Sequence, residues 1–238
     1  MPSLFVTMII RHNKTFVFAS LLMTLGSMPA TAENLLNTPL LFNNHYGKAD
    51  FMTPAELEVI MEINRVRTDP AGYARKYLAP LREYYQGALF RYPGKIAIRT
   101  KEGVAALDEC IRELEYSNPA PALSPCPGLT FAARDLVRDQ GETGMTGHKG
   151  SDGSSIAVRI SRYGQWYGPA AENIAYGLGD AREIVIAWLV DDGVAGRGHR
   201  INLLNGELYK AGVHIGPHRR YNDMCVMDFA SSYVTKKP

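Results

Sequence analysis

Cysteine is scarce in this sequence: Cys110, Cys126 and Cys225 are the only three in 238 residues. An odd number cannot close entirely into intrachain pairs, so at least one thiol stays free or pairs with another chain, and the pairing stays open. No C-x-x-C or comparable cluster is present, which argues against a thiolate metal site. An excess of basic charge is also missing. There are 26 Lys and Arg against 24 Asp and Glu, and nothing resembles the basic stripe of a nucleic-acid binder, so no nucleic-acid partner is expected. There is no internal repeat. There is no G-x-S-x-G elbow, and no oxyanion-hole donor can be named from the sequence.

The N-terminus carries Arg11 and Lys14, no acids, and then the apolar run "TFVFASLLMTLG". That run, Thr15 to Gly26, is too short to span a bilayer. Small residues follow at "ATA", 30–32, where an export signal is cleaved. The expectation is a signal peptide over 1–32, cleaved near Ala32, and a mature chain without a transmembrane segment, exported to the periplasm or the medium. Removing Arg11 and Lys14 leaves 24 basic residues against 24 acidic ones.

Residues 33–52 show no clear period and read as an N-terminal leader. "TPAE" at 53–56 is a helix start: Thr53 caps, Pro54 fits the first position and Glu56 completes a capping box. Leu57, Ile60, Met61 and Asn64 follow at helical spacing. "DP" at 69–70 breaks or re-caps the helix. Residues 79–100 read as an irregular insertion. Val104, Leu107, Ile111 and Leu114 mark a second amphipathic helix. The proline-rich 118–128 segment is extended or turning. "LTFAARDLVRDQ" predicts a helix burying Ala132, Ala133, Leu136 and Val137. "TGHKGSDGSS" is a loop, "SIAVRISRYG" a short helix and "ENIAYG" a strand. Asp180 caps "AREIVIAWLVDD", whose apolar stripe is Ala181, Ile184, Val185, Trp188 and Leu189. "YKAGVHIG" and "MCVMDFA" close the chain as two strands. Helices first and strands last argue for an α+β fold in one domain over 53–238.

Five histidines follow the export signal: His45, His148, His199, His214 and His218. His148 opens the glycine loop. His199 stands in "GRGHR" before the apolar "INLL". Glu172 precedes a strand and Asp191 ends a helix. Each alone has an ordinary reading as a capping or hydrogen-bonding residue. Arg197 and Arg200 are expected to pair on the surface with Asp191, Asp192 or Glu207. Asn173 and Asn202 are expected to hold loops through their side chains.

Taken in order, these segments resemble the CAP superfamily of cysteine-rich secretory proteins, antigen 5 and plant pathogenesis-related proteins, and most closely its bacterial SCP-domain members. The resemblance rests on "INRVRTDPAGYA", "ALSPCPGLTFAARDLVRDQ", "GHKGSDGSSIAVRISRYG", "AENIAYG", "IVIAWLVDDGVAGRGHRINLL", "KAGVHIG" and "CVMDFA". It covers about 54–230. It implies a three-layer α-β-α sandwich with a cleft lined by two histidines and two acids. His148 and His199 fall on the two histidines and Glu172 on the first acid. The second acid falls on Asp191, an aspartate where glutamate is usual in eukaryotic members, which leaves Asp192 as an alternative. The disulfide framework of animal members is missing.

Two imidazoles meeting at one point suit Zn²⁺ or another divalent metal, with carboxylates orienting the rings. His148 and His199 are then the metal ligands, and affinity falls as pH drops through the histidine range. A His–Glu pair could instead serve a serine nucleophile, with Ser151, Ser154 and Ser155 nearby in sequence. Three functions follow as expectations. The first is an exported module binding a lipid, envelope component or protein ligand in its cleft. The second is a metal- or histidine-dependent hydrolase of peptides or envelope polymers. The third is a structural envelope protein.

Overall fold

A computed structural model describes residues 6–10 and 51–237. Most of the expected export segment, the leader as far as residue 50 and His45 lie outside these. The fold is α+β. A central five-stranded sheet is covered on both faces by helices, the three-layer arrangement implied above.

Helix α1, Pro54–Thr68, starts with the expected capping box. Glu56 N–H donates to Thr53 Oγ1 at 3.3 Å, and Thr53 N–H donates to Glu56 Oε2 at 2.7 Å. Its buried face differs from the expected one. Val59, Ile60, Ile63 and Val66 are buried, whereas Leu57 and Met61 are only partly covered, because the helix also buries Glu62 and Arg67. Arg67 donates to the carbonyls of Pro121, Leu203, Asn205 and Leu208 at 2.7–3.0 Å and so ties α1 to segments far along the chain. A short helix α2, Pro70–Tyr73, continues into a π-helical turn, Ala74–Leu78, and a 3₁₀ turn, Ala79–Tyr84. The rest of the insertion forms a small antiparallel sheet of β2 (Tyr85–Gln86), β3 (Leu89–Phe90) and β4 (Ile98–Arg99).

Helix α3, Val104–Tyr116, buries Leu107, Cys110, Ile111 and Leu114. The proline-rich segment is extended and contributes β5, Ser124–Pro125. Helix α4, Pro127–Thr143, buries Ala132, Ala133, Leu136 and Val137, and α5, Ile156–Tyr163, follows the glycine loop. The long strand β6, Gly164–Tyr176, leads to α6, Ala181–Val190. The short α7, Gly198–Leu204, precedes the hairpin of β7, Lys210–His218, and β8, Asn222–Thr235.

The main sheet has the order β1-β6-β8-β7-β5, where β1 is Val6–Ile10. β6 pairs antiparallel with β8, β8 with β7, and β5 runs parallel to β7. The backbone of β1 pairs antiparallel with β6, from Val6 opposite Ile174 to Ile10 opposite Ala170. Thus five residues of the expected export segment occupy the outer edge of β6.

Alternation along the strands sends side chains to two separate cores. Ala171, Ala175, Cys225, Met227 and Phe229 face α1, α3 and α6, where Trp188 is fully buried. Ala170, Ile174, Tyr176, Val226 and Ala230 face α4 and α5. Each large apolar side chain fully buried in these layers contributes about 1.5–3 kcal/mol. All three cysteines are buried and unpaired, so these thiols pack as small apolar groups. Among the described residues no helix is long and apolar enough to cross a membrane.

Candidate functional site

His148 lies in the loop between α4 and α5. Gly147, with φ of 103°, turns the chain there in a conformation that favours glycine. Two side chains clamp this turn. The Tyr176 hydroxyl accepts from Gly147 N–H at 2.9 Å and donates to Gln140 Oε1 at 2.8 Å. Gln140 Nε2 donates to the carbonyls of Gly147 and Lys149 at 2.6 and 3.2 Å. The ring of His148 then meets β6, with Nδ1 2.6 Å from Glu172 Oε1. A carboxylate only accepts, so Nδ1 carries the hydrogen in this contact. His148 Nε2 is buried and meets no partner among the described residues.

Glu172 is fully buried and also accepts from Arg159 Nη2 at 2.5 Å. Arg159, equally buried, donates through Nη1 to the carbonyls of His148 and Ser154 at 3.1 and 3.0 Å. One guanidinium therefore holds both the carboxylate and the backbone of the histidine it orients.

His199 occupies the first turn of α7. Asp191 ends α6 at φ of 54°, a left-handed conformation that aspartate tolerates better than most residues. Its Oδ1 lies 2.6 Å from His199 Nδ1, and its Oδ2 accepts His199 N–H at 2.9 Å. Both residues are fully buried. Asp192, the alternative acid, points elsewhere and accepts the N–H groups of Lys101 and Glu102 at 2.6 and 2.8 Å. Asp191 is the partner of His199.

The two histidine–carboxylate pairs come from opposite layers and are linked through one strand. Glu172 and Asn173 are consecutive in β6, so their side chains leave opposite faces. Asn173 Nδ2 donates to the His199 carbonyl at 3.2 Å, and Asn202 Nδ2 donates to Asn173 Oδ1 at 2.8 Å.

The arginines around His199 do not pair as expected. Arg200 is fully buried and donates to the carbonyls of Leu189 and Val190 at 2.6 and 3.2 Å. Its remaining contacts are with Glu109 and Glu113. Arg197 pairs with Glu102 and Glu109 and donates to the Asp191 carbonyl at 2.8 Å. Asp191 has spent both carboxylate oxygens on His199, and α3 brings its glutamates alongside instead. In "INLL", Asn202 and Leu203 are buried while Ile201 is exposed.

The loop serines brace the chain. Ser151 N–H donates to Asp139 Oδ2 at 2.7 Å, and its hydroxyl bonds to the same carboxylate. Ser154 N–H donates to Asp152, and Ser155 caps α5. Of the other histidines, His214 Nδ1 is 2.7 Å from Glu56 Oε1, and His218 Nε2 is 2.9 Å from the Met145 carbonyl. Both serve the scaffold. Among the described residues no group of three or more His, Cys, Asp and Glu is placed to hold a metal ion.

Sequence reasoning missed Arg159 and Asp228. Asp228 is fully buried on β8, directly across from Glu172. Each carried a signal: an arginine in the apolar register of "IAVRISRY", and a lone acid inside the apolar strand "CVMDFA".

Comparison with known proteins adds a family. No curated protein matches the sequence. Two solved structures are similar. One is an outer surface protein from Borrelia burgdorferi, at 23% identity over 47% of this chain and 78% of that one, with a TM-score of 0.40. The other is an extracellular protein containing an SCP domain from Bacillus anthracis str. Ames, at 24% identity over 47% of this chain, with a TM-score of 0.38. The match spans only 34% of that second protein. The model of the cysteine-rich secretory protein family matches residues 63–229, a stretch that holds both histidine–carboxylate pairs together with Arg159 and Asp228, and the chain belongs to that family, CAP.

Proposed function

We propose that this protein is an exported CAP module whose site binds an envelope-derived ligand and takes a divalent metal, Zn²⁺ above all, through His148 and His199. The observation that carries this reading is the pair of buried carboxylates, each 2.6 Å from one histidine Nδ1. A carboxylate at Nδ1 fixes the tautomer and raises the donor strength of Nε2, the usual outer-shell arrangement around a metal-binding histidine. The buried, unpartnered Nε2 of His148 fits a ligand atom better than a core histidine. With two protein nitrogens the remaining positions fall to water or to the ligand. A bound divalent ion supplies Lewis acidity. The chain itself orients the rings and shields them in a low-dielectric setting. Export to the periplasm or the medium is supported by the basic, then apolar, then small-residue order of 1–32.

The same contacts favour hydrolysis as the second reading, because His148 is a base already oriented by Glu172. Ser151 and Ser155 use their hydroxyls on Asp139 and on the first turn of α5, and the nucleophile in that reading is water.

Zinc titration of the purified protein by calorimetry tests the first reading. Binding is expected in the wild type and lost in His148→Ala and in His199→Ala. Wild-type affinity in both variants sinks it. Mass spectrometry of an organic extract identifies any lipid carried. Turnover of a peptide or peptidoglycan panel that disappears in the histidine variants favours the second reading.

A further inference from the structure

Glu172, Asp228 and Gly212 form one row across β6, β8 and β7. Glu172 and Asp228 are both fully buried. Neither oxygen of Asp228 meets an N–H or hydroxyl donor among the described residues, and the Glu172 carboxyl is its directly opposite neighbour on the same face of the sheet. Two carboxyl groups buried side by side across paired strands favour sharing one proton, since ionising both in a dry site is costly. Glu172 already accepts from Arg159 and from His148 Nδ1, the pattern of an ionised carboxylate, so the proton belongs on Asp228.

The other charged groups around Asp228 leave this assignment intact. Arg159 on α5 faces Asp228 but spends its short bond on Glu172. Asp135 on α4 is matched by Arg162 at 3.0 Å and by the Tyr163 hydroxyl at 2.8 Å. Tyr233 on β8 donates to the Ile160 carbonyl at 2.6 Å. From β7 comes Gly212, which has no side chain, and α4 packs so closely that an added Cβ would lie 2.0 Å from Thr130 N.

We propose that Asp228 is a neutral carboxylic acid that donates its O–H to Glu172 and acts as the positioning residue of the His148 half-site. Glu172 then receives three donors, Asp228 O–H, Arg159 Nη2 and His148 Nδ1–H, and presents one negative charge held in a fixed direction. This rests on the reading of His148 as the donor of the site. Burial pushes the Asp228 carboxyl far above the ordinary carboxylate range, and the Glu172 charge adds to it. Below the unfolded-state value of about 3.9 the contribution of Asp228 to stability is fully present; it is lost as pH rises toward the folded-state value.

Asp228→Asn keeps a donor where the acid O–H stands, and Asp228→Leu keeps the volume without one. In infrared difference spectra at pH 7, wild type minus Asn variant is expected to show a protonated-carboxyl band. In ¹⁵N-histidine NMR the Asn variant is expected to keep His148 in its Nδ1–H tautomer, while the Leu variant shifts it. Zinc affinity is expected to fall by about 10-fold or more in the Leu variant and to be largely retained in the Asn variant. The Asn variant should gain stability relative to wild type as pH rises above about 4. Absence of the band at pH 7, or loss of the tautomer in the Asn variant, overturns the proposal. If the Leu variant does not fold, the infrared band and the Asn variant still decide. Both are read without metal, so a failed zinc titration in the wild type is a separate result.

Discussion

Asn173 Nδ2 donates to the backbone carbonyl of His199 at 3.2 Å. The residue before it, Glu172, meets His148 from the other face of the same strand. One dipeptide of β6 therefore sets the position of both histidines, and a displacement of this strand moves both.

Replacing Asn173 by alanine removes its bond to the His199 carbonyl and the bond it accepts from the Asn202 amide. The expected cost is about 1–3 kcal/mol in urea unfolding, with weaker zinc binding. Asn173→Asp places an acceptor against that carbonyl and should be worse. Equal stability of the three proteins would show that α7 is held by other contacts.

Arg159 should be a costly polar side chain to remove. Arg159→Met strips Glu172 of its counter-charge and frees two loop carbonyls, at an expected cost of about 3–5 kcal/mol. Lysine should rescue little, because one ammonium cannot reach all three acceptors in the guanidinium geometry. A loss in Arg159→Met no larger than that of an exposed pair, about 1 kcal/mol, would contradict this account.

Gly212 and Gly216 lie on the same strand and make a controlled comparison. A Cβ at Gly212 meets the backbone of α4 at 2.0 Å, whereas one at Gly216 meets Val137 Cγ1 at 2.6 Å. A side chain can turn aside and a helix backbone cannot. Gly212→Ala should exceed the usual overpacking cost of about 1–3 kcal/mol, and Gly216→Ala should stay within it. Thermal unfolding of both variants gives the order, and the reverse order would contradict it.

Acid should weaken the protein partly through Glu62. Burial raises its carboxyl, but hydrogen bonds from Arg182 and Tyr73 and the pairing with Arg65 outweigh that and hold it below its ordinary range. A lowered folded-state value adds stability that is present above the unfolded value of about 4.3 and is lost as pH falls through the folded one. Arg182 is half exposed, so solvent screening limits the gain. Glu62→Gln should cost about 1–2 kcal/mol at pH 7 and flatten the acid side of the stability profile. An unchanged acid limb would remove Glu62 from that account.

Helix starts were legible because capping is local: Thr53, Pro54 and Glu56 lie within one turn, as do Asp180 and the amide groups it caps. The stripe of α6 was legible for the same reason, its five expected residues all being buried. The buried face of α1 was less so, since Glu62 and Arg67 are buried by partners that local spacing does not reveal. Arg197 and Arg200 were misjudged because their acids lie 87–95 residues away on α3 and its preceding turn.

The sequence by itself determined the α+β class and the order of the main helices and strands, and its ordered motifs singled out His148, Glu172, Asp191 and His199 as candidates, which the structure arranges as two histidine–carboxylate pairs. Local hydrogen bonding and the 3.6- and 2-residue periods are written into neighbouring residues. The tertiary structure alone decided that Asp191 rather than Asp192 meets His199. It also decided that Arg159 and Asp228 flank Glu172 and that the three thiols stay unpaired. These depend on strand register and on which helix packs against which face, and both are fixed by contacts between residues remote in the chain.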